Sequence, residues 1–122
     1  MNRLSSIKAP AVAGVIREEK TACAIAEIKN CMYDGADMID LHTSCLQDTT
    51  VENLNKIISS TKLPVLALNY NTKYDCSDLG LSEEERVACL LRALEAGAAG
   101  IDIQGYTYHL PSKTAFCGED KY

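Results

Sequence analysis

No uninterrupted apolar run in these 122 residues approaches the length a bilayer crossing needs, and residues 1–10 lack the apolar core of a signal peptide. Neither a membrane span nor export is expected. Basic residues are outnumbered, 12 Lys and Arg against 17 Asp and Glu, and the formal charge of −5 argues against a nucleic-acid or anionic-membrane partner. The six cysteines (23, 31, 45, 76, 89, 117) form no CxxC pair and no zinc spacing. Without a secretory context a disulfide framework is not expected either. Cys23, Cys31 and Cys89 fall in helical patterns, where a free Cys behaves as a small hydrophobe, so the expectation is six reduced thiols in a cytoplasmic protein. There are only two His, and no motif ties either to a Cys as a nucleophile would require. No GxGxxG or GxxxxGK[ST] follows the first apolar run, which leaves a nucleotide fold without support.

What is present is a repeat. Gly35-Ala36-Asp37-Met38-Ile39-Asp40-Leu41-His42 returns as Gly97-Ala98-Ala99-Gly100-Ile101-Asp102-Ile103-Gln104. In each copy small residues close an amphipathic helix, where a Gly suits the left-handed position. The short apolar run that follows reads as a strand buried on both faces. An Asp inside such a run is costly unless it meets a partner or a polar cavity. Both copies therefore hint at one shared site.

Around this repeat the chain alternates. Pro10 opens a first strand over 11–16, with Arg17 at its C-terminal end, after a frayed lead-in at 1–9. A helix over Thr21–Tyr33 carries Ile25, Ile28 and Met32 on one stripe. The second strand is Met38–His42. Thr49 and Glu52 form a capping box for the next helix, whose stripe is Val51, Leu54, Ile57 and Ile58. After Leu63-Pro64 a third strand covers Val65–Leu68. A polar loop over 69–81 leads to a second capping box, Ser82 with Glu85, and to a helix with Val87, Leu90, Leu91 and Leu94 on its apolar face. The fourth strand covers 101–103, and 105–122 read as an irregular βα loop or tail.

Strand starts near 11, 37, 64 and 100 lie on the scale of βα units. Such alternation means parallel pairing with right-handed crossovers. The expected fold class is α/β: a single domain over 1–122 that forms a partial (β/α)8 TIM barrel, about (βα)3β, where a whole barrel takes about 250 residues. Half a barrel leaves two strand edges unpaired, which invites either the remainder of its own barrel or a second copy. The expectation is that the chain is the front portion of a longer protein.

Barrel sites lie at the C-terminal ends of the strands. The candidates there are Arg17, Asp40, His42, Tyr70, Asp102 and Gln104, with Tyr106 beyond. Alternation puts Asp40 with His42 on one face, and Asp102 with Gln104 on one face. Strands two and four are alternate, so Asp40 and Asp102 are expected in one interior layer, with His42 and Gln104 in the layer above. Each also has a plainer reading: the Asp residues as partners of backbone or a cation, His42 as a satisfied core histidine, Arg17 as a surface charge.

These runs resemble the amino-terminal half of type I 3-dehydroquinate dehydratase. The resemblance rests on Ala9-Pro10, Gly35-Ala36-Asp37 through Ile39-Asp40-Leu41, Leu63-Pro64-Val65-Leu66, Ser82-Glu83-Glu84-Glu85-Arg86, and Glu95-Ala96-Gly97-Ala98 before Ile101-Asp102-Ile103. It implies a cofactor-free, metal-free lyase of the shikimate pathway, in aromatic amino acid biosynthesis, which dehydrates a small carboxylate substrate through a Schiff base on a Lys, with a His as proton shuttle. Both catalytic residues would lie beyond Tyr122. The family usually carries Glu-x-Arg where this chain has Asp40 and His42, an Arg and then a Glu where it has Tyr70 and Tyr74, and Asp-x-Glu where it has Asp102 and Gln104. A Schiff-base Lys must be desolvated, and every Lys here (8, 20, 29, 56, 62, 73, 113, 121) reads as terminal, helical or loop. Two alternatives stand beside this one. One is a metal-dependent barrel isomerase or aldolase using Asp40, His42 and Asp102; the other is a non-catalytic, self-associating half-barrel.

Overall fold

The computed structural model describes residues 4–70 and 81–103. Strands and helices alternate along them: β1 (Ala13–Ile16), α1 (Thr21–Tyr33), β2 (Met38–His42), α2 (Val51–Ile58), β3 (Val65–Leu68), α3 (Glu83–Glu95) and β4 (Gly100–Asp102). Short 3-10 turns occupy Leu4–Ser6 and Thr43–Cys45. The four strands form one sheet in the order β1-β2-β3-β4, and every neighbouring pair is parallel. The chain is thus α/β, with an all-parallel sheet and three helices. No helix among the described residues is long and apolar enough to cross a membrane.

Backbone chemistry explains where the elements stop. α1 and α3 are each followed by a Gly at positive φ, Gly35 at 90° and Gly97 at 111°, which a side chain would strain. α3 begins with the expected capping box: the Ser82 hydroxyl accepts from the Glu85 N–H, and the Glu85 carboxylate accepts from the Ser82 N–H. The capping box expected at Thr49 and Glu52 is not formed. Thr50 is the N-cap of α2, accepting from the Asn53 N–H at 3.2 Å. Two interactions shift the cap by one residue. Asp48 accepts from both the N–H and the hydroxyl of Thr50, while Arg92 donates to the carbonyl and hydroxyl oxygens of Thr49.

The sheet has two unlike faces. Ile16, Leu41, Ala67 and Ile101 are register partners across all four strands, and the first three are fully buried. The helices pack side by side, α1 on α2 and α2 on α3, and their buried residues join this row in one core with Ile28, Ile39, Leu54, Ile57, Val65 and Leu90. Burying each such side chain stabilises the fold by about 1.5–3 kcal/mol. The neighbouring row, Val15, Asp40, Leu66 and Gly100, belongs to the opposite face, where Val15 keeps 51% of its surface exposed. None of the three α-helices covers that face; Leu4 of the N-terminal 3-10 turn reaches it beside Gly100.

Several expectations are corrected. β1 begins at Ala13 and not at residue 11, because Val12 is already clamped by Asp37, whose carboxylate accepts from the Val12 N–H while its own N–H donates to the Val12 carbonyl. β4 starts one residue early, at Gly100. On α1 the buried positions are Ala24 and Ile28, and Met32 is 40% exposed. On α3 the small residues Cys89 and Ala93 take the core, and Leu91 and Leu94 face outward. Cys23 is exposed, Cys31 and Cys45 are half-buried and Cys89 is buried, and none of these four forms a disulfide. The lead-in is not wholly frayed, since Leu4 lies so close to Gly100 that a Cβ there would meet its Cδ1 at 3.0 Å. Cys76, Cys117 and the expected tail over 105–122 fall outside the described residues.

Candidate functional site

The helix-free face gathers four of the six candidate residues at the C-terminal end of the sheet. β2 supplies Asp40 and His42, the turn after β3 supplies Tyr70, and β4 supplies Asp102. The Tyr70 hydroxyl donates to Asp102 Oδ2 at 2.5 Å. The rings of His42 and Tyr70 meet edge to face, 6.1 Å between centroids and 77° between planes. In hydrogen-bond register the two Asp residues are staggered by two positions. Asp40 is level with Leu66 and Gly100, whereas Asp102 is level with Leu68 and, through it, with His42.

Asp40 is the electrostatically unusual group. Its Oδ1 is buried with no hydrogen-bond partner among the described residues. Burial raises its pKa above the ordinary carboxylate value; the nearby His42 opposes the rise and Asp102 adds to it. The two carboxylates are placed differently: Asp102 accepts from the Tyr70 hydroxyl, while burial holds the Asp40 pKa up.

The rim beneath them is fixed by neutral hydrogen bonds. Thr43, fully buried after β2, donates from Oγ1 to the Leu68 carbonyl at 2.8 Å and accepts from Asn69 Nδ2 at 3.0 Å. This ties the end of β2 to the end of β3, so His42 and Tyr70 emerge from a braced edge.

Arg17 sits one position past β1 at the same end of the sheet, exposed to solvent. Gln104 and Tyr106 lie outside the described residues, as does Tyr74. Among the described residues no group of three or more His, Cys, Asp or Glu is placed to hold a metal ion, so Asp40, His42 and Asp102 do not make the metal set one alternative requires. Nor is a reactive thiol evident at Cys31, where burial, reinforced by Glu27 and Asp34, pushes the thiol pKa up. The described lysines, Lys8, Lys20, Lys29, Lys56 and Lys62, are all exposed and none stands on a strand.

Sequence reasoning passed over Arg86. It is only 4% exposed, and it donates from Nε to the Tyr70 carbonyl at 3.1 Å and from Nη1 to the Leu81 carbonyl. A signal existed. Arg86 stands three, four and seven residues before Cys89, Leu90 and Ala93, on the buried face of α3. A cation at a core position of a helix needs a purpose-built set of acceptors.

The chain matches no protein-family model, and a search of curated proteins finds no match to it.

Proposed function

We propose that this chain forms the first four strands of a (β/α)8 TIM barrel and the substrate-facing wall of a 3-dehydroquinate dehydratase-like lyase. The observation that carries the reading is the convergence of Asp40, His42, Tyr70 and Asp102 on the helix-free face, at the carboxyl ends of parallel strands. That is where barrel enzymes keep their chemistry. The sequence resemblance set out above supplies the reaction class.

In this reading the ligand is a small hydroxylated keto acid. Arg17 offers the positive charge for its carboxylate. Asp40 and Asp102 present their carboxyl groups to its hydroxyls. The Schiff-base amine comes from a Lys in polypeptide following Tyr122: the amine adds to the ketone and water leaves, giving an iminium. A proton is then lost from the adjacent carbon, the neighbouring hydroxyl departs as water, and a second water hydrolyses the product from the Lys. The open edges of β1 and β4 are closed by the remaining barrel strands, or by a second copy if the chain acts alone. The protein is placed in the cytoplasm.

Incubating the full-length protein with 3-dehydroquinate and then borohydride tests this. A reduced adduct on one Lys is expected by mass spectrometry. Absence of both adduct and turnover overturns the reading.

A further inference from the structure

We propose that Arg86 is a positioning residue of this site: it anchors the main chain at Tyr70 so that the phenol reaches Asp102 beside His42. Its importance for a substrate rests on the functional reading above; the positioning itself does not.

The geometry points to this from three sides. First, the two acceptors of Arg86 are the carbonyls of Tyr70 and Leu81, which flank residues 71–80. One rigid guanidinium thus sets the spacing of both ends of that connection, which an ammonium with a single nitrogen does not do. Second, the cation is deeply buried, and among the described residues the carboxylate paired with it is Glu83 at 3.8 Å, longer than a direct hydrogen bond. Among the described residues its hydrogen-bond acceptors are main-chain carbonyls, and it stands on the buried face of α3. Third, the Tyr70 side chain is engaged at its far end. The ring stands edge-on to His42 and the hydroxyl ends on Asp102. Tyr70 is thus held at its carbonyl by Arg86 and at its hydroxyl by Asp102.

The helix itself is well placed to do this. Its N-terminus is independently locked by the Ser82–Glu85 capping box, one residue before Arg86. Val87, Cys89 and Leu90 seat the same turn in the core. Arg86 thereby transmits the position of α3 to a side chain on the opposite face of the sheet.

The test uses the whole chain with 13Cζ-labelled tyrosine and no substrate, so its failure is distinct from failure of the lyase reading, which the borohydride experiment addresses. Y70F identifies the Tyr70 signal, and D102N gives its position once the acceptor is weakened. R86Q is expected to move the Tyr70 signal most of the way to its D102N position, and R86K, which keeps one charged donor, part of the way. The backbone amides of Leu41 and Ala67 should stay in place in both, reporting an intact sheet. A Tyr70 signal left at the wild-type position by both Arg86 variants, while D102N displaces it, overturns the proposal. An unmoved signal in D102N overturns it too, because Tyr70 then does not reach Asp102. Loss of the Leu41 and Ala67 amides in both Arg86 variants does the same, making Arg86 a folding residue only.

Discussion

Tyr70 and Asp102, thirty-two positions apart in the chain, are joined by a 2.5 Å hydrogen bond from phenol to carboxylate. It links the turn after β3 to the last residue of β4, across the edge of the face that carries the candidate site. A charge-assisted bond in a partly buried setting contributes more than a neutral surface one. Y70F removes only the donor and is expected to cost about 1–2 kcal/mol of stability. Urea unfolding followed by circular dichroism measures it; an unchanged midpoint means that water replaces the phenol without loss.

Asp40 makes the opposite contribution. Its folded-state pKa is raised above 3.8, so the folded chain keeps this proton after the unfolded chain has lost it. Stability from this group is therefore full at low pH and falls as pH rises from about 3.8 through the raised folded value. D40N is expected to flatten that fall and to make the protein more stable at neutral pH than the wild type. Asp48 and Glu85 act with the other sign, since hydrogen bonds from Thr50 and Ser82 hold their pKa values below 3.8 and 4.5. Their contributions disappear only as acid protonates them, and D40N should leave that acid limb in place. Unfolding midpoints of wild type and D40N across pH 3–8 check both statements.

Packing between β1 and α1 leaves no room at Gly14. A Cβ there would lie 2.6 Å from Cys31 Sγ and 2.8 Å from Cys31 Cβ. G14A is expected to destabilise the fold by about 1–3 kcal/mol through overpacking. Adding C31A should recover part of this, because Sγ is removed while the Cβ clash stays. A double variant no better than G14A alone would show that the strain lies elsewhere.

Much of the fold was legible in the sequence because it is written locally. The limits of α1, β2 and β3 follow from apolar periodicity and from Gly35 and Pro64, and α3 announces itself through Ser82 and Glu85. What was not legible depends on partners far along the chain. The N-cap of α2 moved to Thr50 because Arg92, forty-three residues away, occupies Thr49. Met32, Leu91 and Leu94 were placed in the core by pattern, but Ala24, Cys89 and Ala93 allow closer approach of helix to sheet and displace them. At the site, strand parity brought Asp40, His42 and Asp102 to one face, while the register that sets Asp102 level with His42 depends on where β4 enters the sheet. Arg86 was missed because a lone Arg in an acidic helix start resembles a surface charge until its acceptors are seen.

Asp40 and Asp102 share one side of the sheet, where the charge of Asp102 acts on Asp40. The pH titration of the Asp40 carboxyl carbon by NMR, in wild type, D102N and H42Q, tests this most directly. Asp40 is expected to titrate above the ordinary carboxylate value, to move down when Asp102 loses its charge, and to move up when His42 is replaced. An Asp40 that titrates at the ordinary value and ignores both substitutions would contradict the shared face, and the site with it.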